Sequence, residues 1–188
     1  MKGLRLERVS EATRALLVLT PGGEPLPLAS LWDERPTLVV LVRHYGCQFC
    51  REQVAQLRRI IPDLSRAGVG VAIIGNGTPL MAQAFVEETG LDVPLFTNPG
   101  REVYEALGAR RPSAVALLDP RVWLNGARAV ARGYLPRRVQ GDAAQLGGVF
   151  LILPGGSIHY AYRSERGGDY PANAAILNAV ESLPRRTG

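Results

Sequence analysis

The tetrad Cys47-Gln48-Phe49-Cys50 sets two thiols three positions apart, and the chain holds no other cysteine. Two thiols on one helical turn can close and reopen a disulfide, so this spacing speaks for redox chemistry. Upstream, Thr37-Leu38-Val39-Val40-Leu41-Val42 is a short apolar run rich in β-branched residues and reads as a buried strand. Downstream, Val54, Leu57, Ile60 and Ile61 recur at helical spacing, with Arg51, Glu52, Gln53, Gln56, Arg58 and Arg59 on the other faces. Cys47 therefore falls at or just before a helix N-terminus. Free backbone N–H groups and the positive end of the helix dipole favour a thiolate there. Arg43, Arg51 and His44 add charged or polarisable neighbours. On this placement Cys47 is expected to be the more exposed thiol and the better nucleophile. Its N-terminal position favours that role over Cys50 without deciding which thiol meets an oxidant first.

Other readings of the same residues stay open. A lone CxxC is half of many zinc sites, but such sites take two further Cys or His ligands. Only His44 and His159 are available, and His44 lies too near Cys47 for the usual second pair, so no metal is expected. Free cysteine also buries well as an inert residue. His44 either lowers the pKa of the thiol or caps the strand end. His159 reads as a surface residue, Tyr45 and Phe49 as walls of the thiol site or packing residues, and Trp32 and Trp123 as core or partner contacts. Gly75-Asn76-Gly77 follows a strand and precedes a helix, as a dinucleotide fingerprint would. Its third glycine position is Leu80, so a helix-entry turn is expected and no cofactor.

Composition narrows the class. The chain has 188 residues, 46% hydrophobic and 21% charged, enough for one α/β domain with a sizeable core. Two cysteines argue against a disulfide-stapled scaffold. No apolar stretch approaches membrane-spanning length, and the first residues carry no apolar signal region, so a cytoplasmic protein without membrane contact is expected. The net charge is +5 and the isoelectric point about 9.7. The arginines are spread or paired, as at Arg110-Arg111 and Arg137-Arg138, without interleaved aromatics, which gives no nucleic-acid footprint.

The elements that position the thiols follow from the pattern. Residues 1–36 read as an N-terminal extension containing a strand near Arg14–Thr20 and a turn at Pro21–Glu24. After the strand at 37–43 comes one long helix over about 48–67, stopped by Gly68. Val69–Ile74 reads as a parallel strand, Thr78-Pro79 as the start of a helix ended by Gly90, Val93–Thr97 as a strand and Arg101–Leu107 as a short helix. Residues 109–146 form an insertion, with helical propensity at Ser113–Leu118 and Val122–Ala131 and a polar loop at Gly133–Gln145. Gly148–Leu153 and Ile158–Tyr162 form a hairpin around Pro154-Gly155-Gly156-Ser157, and a helix closes the chain at about 172–182. Parallel crossovers followed by a hairpin, with CxxC after the first core strand, are the thioredoxin arrangement in one domain of 1–188.

Leu41-Val42-Arg43-His44-Tyr45-Gly46-Cys47-Gln48-Phe49-Cys50-Arg51-Glu52 resembles the signature of the peroxiredoxin-like 2 group, within the alkyl hydroperoxide reductase and thiol-specific antioxidant (AhpC/TSA) superfamily. Phe96–Gly108, Gln140–Phe150 and Tyr162–Tyr170 look similar too, and the resemblance spans roughly residues 25–183. It implies a thioredoxin-like, peroxiredoxin-type fold: a central mixed sheet with a C-terminal hairpin and flanking helices. It also implies thiol-dependent reduction of peroxides, or of related disulfide or endoperoxide substrates, through Cys47 and Cys50. A thioredoxin- or glutathione-type donor would restore the thiols, and a homodimer is among the assemblies it allows. A thioredoxin-like disulfide reductase and a non-catalytic redox sensor or binding module are the alternatives. The chain departs from the Pro-x-x-x-Thr-x-x-Cys pattern of standard peroxiredoxins. Counting back from Cys47, those places hold Val40 and His44; from Cys50, Arg43 and Cys47. Gly147-Gly148 stands where a cis-proline facing the thiols is usual, and the nearby arginine is missing, with Arg43 or Arg163 as candidate replacements.

Overall fold

In the computed structural model, the described residues are 7–111, 120–133, 141–142 and 144–184. Among the described residues, seven strands form one mixed sheet: β1 (Leu17–Leu19), β2 (Pro25–Pro27), β3 (Thr37–Leu41), β4 (Gly70–Gly75), β5 (Leu95–Thr97), β6 (Gly148–Ile152) and β7 (Ile158–Arg163), in the order β2-β1-β5-β4-β3-β6-β7. β3, β4 and β5 are parallel, and β6 runs antiparallel to β3 and pairs with β7. Strands of the N-terminal extension continue this sheet through Leu19 opposite Thr97. The proline-bounded β2 lies at its edge, where a missing N–H costs no ladder bond.

Strand parity divides the core in two. Leu38, Val40 and Val42 face one side with Val71, Ile73, Val149 and Leu151, while Val39 and Leu41 face the other with Ala72, Ile74, Phe150 and Ile152. The first side is covered by α2 (Gln48–Arg58), α3 (Ile61–Arg66), α4 (Pro79–Thr89) and α7 (Asn173–Glu181), and it contains both cysteines. The second packs on α5 (Glu102–Ala106) and on the 3-10 turn Leu28–Leu31, around Trp32 and Tyr104. A short α1 (Glu11–Arg14) is capped by Ser10. Tyr104 ties the sides together, since its hydroxyl lies 2.7 Å from the Val42 carbonyl and 3.0 Å from that of Ile74.

Two expectations change. The single helix over 48–67 is two helices, because Pro62 lies in the first turn of α3. Proline has no N–H to offer the preceding turn, and its ring crowds the carbonyl four residues back. Pro120 opens α6 (Pro120–Ala131) instead of preceding a helix, the place in a helix that proline tolerates. The expected helical stretch at Ser113–Leu118 and most of the loop at Gly133–Gln145 lie outside the described residues.

Candidate active site at the start of α2

β3 delivers the chain to the thiols through a braced turn. Val42 donates its N–H to the Ile74 carbonyl at 2.9 Å. Tyr45 is fully buried, its hydroxyl donating to the Phe96 carbonyl at 2.9 Å and its ring 5.3 Å from that of Phe85. Cys47 then occupies the N-cap of α2 with extended backbone angles, and its own N–H bonds the His44 carbonyl at 3.1 Å. Its carbonyl accepts the first helical bonds, from Cys50 at 3.1 Å and Arg51 at 3.2 Å. The sulfur therefore sits among unpaired N–H groups at the positive end of the helix.

The two thiols are free and electrically unlike. Cys47 is pulled down to about 6, foremost because the Cys50 thiol donates a hydrogen bond to its sulfur. The Arg43 charge and the N–H groups of Cys50 and Phe49 assist, outweighing the opposing effect of burial. Cys50 is pushed well up, first by burial, then by its bond to Cys47 and the Cys47 charge. The Arg43 N–H lies 3.2 Å from the Cys50 sulfur. Both shifts run the same way, favouring a thiolate at Cys47 and a thiol at Cys50. Cys47 is only marginally more exposed, 5% against 2%, so both sulfurs lie beneath a cover.

Of the expected helpers, Arg43 alone acts on the thiols through its charge, while His44 reaches Cys50 only through its backbone N–H. Its Nε lies 3.3 Å from the Gln145 carbonyl, and its charge favours the thiolate. Arg51 pairs instead with Glu88 of α4. His44 is buried and pulled down to about 4, chiefly by desolvation and then by Arg43, so it is neutral and cannot assist the thiolate as a cation. Gly148 and Arg163 face away from the thiols. Both stand directly opposite partners in the row Leu41, Gly148, Arg163, on the Phe150 side of the sheet. The Arg163 guanidinium lies 5.3 Å from the centre of the Phe150 ring, donates to the Leu107 carbonyl at 2.8 Å and pairs with Glu7 at 2.6 Å. Gly147 nestles against β3, where any side chain would collide with the Leu41 carbonyl.

The cover is made by α6 and the loop after β7. Phe49 packs against Gly167 and Gly168, where a Cβ would approach its ring to 3.2 and 2.9 Å; Gly168 also has a φ of 71°. Asn125 of α6 holds that loop by donating to the Gly167 carbonyl at 2.9 Å. Glu52, expected on an outer face of the helix, is fully buried and pairs with Arg128 at 3.4 Å and with Arg132, both from the α6 segment. Burial would raise its pKa, but bonds from Tyr170 and Arg132 and the two arginine charges hold it below the usual carboxylate value. A cavity of about 670 Å³ opens beside this cluster, lined by Glu52, Gln56, Arg59, Arg128, Arg132 and Tyr170. Nothing local in the sequence singles out Glu52, because its partners lie far along the chain on α6 and just beyond it.

The remaining candidates serve structure. Asn76 of the Gly75-Asn76-Gly77 turn clasps Asp142, accepting from its N–H at 3.0 Å and donating to its carbonyl at 3.1 Å. His159 bonds Ser182 at 2.9 Å, joining β7 to the end of α7. Trp32 is fully buried and Trp123 is 71% exposed. Among the described residues, no three of His, Cys, Asp and Glu converge as a metal site requires. No helix among them is long and apolar enough to cross a membrane.

Comparison with known proteins agrees with this architecture. A family profile described as AhpC/TSA antioxidant enzyme matches residues 56–166, a span that begins after the thiols. Human peroxiredoxin-like 2C is 31% identical over 183 residues, covering 92% of this chain and 80% of the human one. A prostamide/prostaglandin F synthase of Salmo salar is 29% identical, covering 88% of this chain and 84% of its own. Among solved structures, peroxiredoxin Q of Xanthomonas campestris shares the fold, with a TM-score of 0.66, 15% identity and coverage of 94% and 96%. A mixed seven-stranded sheet with a thiol at the start of the helix after β3, together with these relatives, shows that the chain belongs to the AhpC/TSA antioxidant family as a peroxiredoxin-like 2 protein with a thioredoxin-like fold.

Proposed function

We propose that this protein reduces peroxides with Cys47 as the attacking thiolate and Cys50 as the resolving thiol. The observation that carries this reading is the polarised pair, in which Cys47 is lowered to about 6 while Cys50 is held protonated. In the first step the Cys47 sulfur attacks one peroxide oxygen. An S–O bond forms, the O–O bond breaks, and the leaving alkoxide takes a proton to become an alcohol. Cys47 is now a sulfenic acid and the peroxide has been reduced by two electrons. The Cys47 charge, which adds to burial in keeping Cys50 protonated, disappears with this step. Cys50 can then ionise and attack the Cys47 sulfur, forming the S–S bond and releasing water. Two electrons from a thiol donor, of thioredoxin or glutathione type, reopen the disulfide. A dialkyl peroxide fits the same electron count, giving two alcohols.

The buried sulfurs favour small substrates over protein disulfides, which places the disulfide-reductase reading second. The standard signature's Thr hydroxyl and its nearby arginine are missing here, and with them donors that orient hydrogen peroxide, each such donor being worth several kcal/mol in the transition state. Slow attack on hydrogen peroxide and preference for another peroxide follow. Stopped-flow oxidation of the reduced protein by hydrogen peroxide, an organic hydroperoxide and a small disulfide tests this, with mass spectrometry of both cysteines after substoichiometric oxidant. The expected product is a Cys47–Cys50 disulfide formed fastest from the organic hydroperoxide. A hydrogen peroxide rate constant near about 10⁷ M⁻¹s⁻¹, in the range of efficient enzymes, contradicts the slow-attack reading. Intermolecular disulfides alone contradict the resolving role of Cys50, and no oxidation at all leaves a binding module. Retention in the cytoplasm is part of this proposal.

A further inference from the structure

Three guanidiniums meet one carboxylate in the cavity of about 670 Å³ between α2 and α6. Arg59 comes from the C-cap of α2, Arg128 from α6 and Arg132 from the position just past its end. Among the described residues that line the cavity, Glu52 is the one acid, and it already serves Arg128 and Arg132. Three cations against one anion leave two positive charges in surplus. Arg59 is exposed and makes no ion pair among the described residues. Arg128 has donors to spare. One of its amino nitrogens lies 3.4 Å from Glu52, 3.3 Å from the Gly168 carbonyl and 3.4 Å from the Tyr170 hydroxyl, all longer than a usual N–H···O bond, and its Nε is buried without an acceptor. Helix α7 starts at the same cavity. Ala172, on the lining, is its N-cap and supplies no side-chain cap, so the positive end of that helix lies at the rim.

Like charges held side by side by two separate elements repel, and a bound anion removes that repulsion. Guanidiniums take oxyanions through paired N–H···O bonds, which suits carboxylate and phosphate alike. The volume is that of an ordinary small-molecule site. We propose that this cavity binds a small molecule with two negative charges on carboxylate or phosphate oxygens, held by Arg59, Arg128 and Arg132. Because Arg59 belongs to α2 and the other two to the α6 segment, the occupant bridges the two elements. The bridge draws the cover down over the start of α2, where Gly126 of α6 lies next to Gln48 and Phe49. The site is thus a clamp on access to the buried thiols. It stands apart from the peroxide chemistry, since it governs the approach of any reagent to Cys47.

The test uses two dianions as probes. The reduced full-length protein is titrated by calorimetry and by thermal unfolding with inorganic phosphate and with succinate, at slightly alkaline pH, each against sodium chloride at matched ionic strength. The expected result is a rise in thermal midpoint of about 3 °C or more at about ten times the measured dissociation constant. At that concentration iodoacetamide alkylation of Cys47 should slow about tenfold, because only the closed protein binds the anion. Tighter binding of phosphate assigns the site to a phosphate ester, and tighter binding of succinate to a dicarboxylate. Arg59→Gln should lose both effects while its own midpoint stays within about 1 °C of wild type, since the side chain it changes is exposed. Glu52→Gln removes the competing carboxylate and should bind the better probe about fivefold more tightly, although it unfolds earlier when empty. No shift beyond that of chloride with either probe overturns the proposal. A shift that survives in Arg59→Gln, weaker binding in Glu52→Gln, or faster alkylation with the probe bound overturns it as well.

Discussion

The turn after β3 and the end of β7 hold two arginines that the sequence offers as equals, and the fold treats them differently. Arg43 lies at the thiol turn, its N–H at the Cys50 sulfur and its charge lowering Cys47. Arg163 lies opposite Gly148, on the Phe150 side, where it braces Leu107 and Glu7. Both are basic residues near the expected place in the chain. What separates them is position in the chain: Arg43 lies past the end of β3, in the turn into α2, whereas the register of β7 holds Arg163 on the side of Leu41 and Phe150. An arginine contributes to thiol chemistry only if the chain brings it to the helix N-terminus, as the turn after β3 does for Arg43.

Removing the chemistry on the thiol side should have the largest effect. Cys47→Ser is expected to abolish peroxide consumption, with turnover at least about a thousandfold lower, because it deletes the nucleophile. A coupled assay with a thiol donor measures it, and retained turnover would shift the role to Cys50. Next comes the neutral His44 beside the thiols. Its folded pKa of about 4 lies below the ordinary 6.5. The unfolded chain therefore takes up a proton as pH falls below 6.5 while the folded one does not. The stability is whole above 6.5 and declines toward pH 4, by roughly 3 kcal/mol. Urea unfolding across that range should show the decline, and His44→Gln should flatten it.

A smaller effect is expected where α6 closes over α2. Glu52→Gln leaves Arg128 and Arg132 without their carboxylate. Both arginines are partly exposed, at 38% and 52% of their side chains, so the loss is about 1–2 kcal/mol, less than for a fully buried pair. Because the folded pKa of Glu52 is lowered, its contribution is present above the ordinary value of 4.5 and vanishes as pH falls through the folded value. The gap between wild type and variant should close accordingly in acid. Arg163→Ala should do least, costing no more than about 1 kcal/mol and leaving the alkylation pKa of Cys47 unchanged. A large change in that pKa would dissolve the contrast between the two arginines.

The thiol end of α2 was legible because its signals are local: a β-branched run, the cysteine spacing and apolar residues at helical period. Pro62 marked the break in the long helix, although the apolar periodicity ran straight across it. Glu52 was not legible as a buried residue, since its partners Arg128 and Arg132 lie some seventy to eighty positions on, in a helix whose apolar stripe points outward. Gly148 and Arg163 were misread because their direction depends on the register of β3, β6 and β7, which composition does not report.

In the proposed mechanism Cys50 holds Cys47 as a thiolate. The pH dependence of iodoacetamide alkylation, read at Cys47 by mass spectrometry in the wild type and in Cys50→Ala, tests it most directly. The expected result is an apparent pKa near 6 in the wild type, rising by more than one unit in Cys50→Ala, with alkylation at neutral pH slowed accordingly. A wild-type value at or above about 8.5, that of an unperturbed cysteine, or the same value in both proteins, would contradict the account.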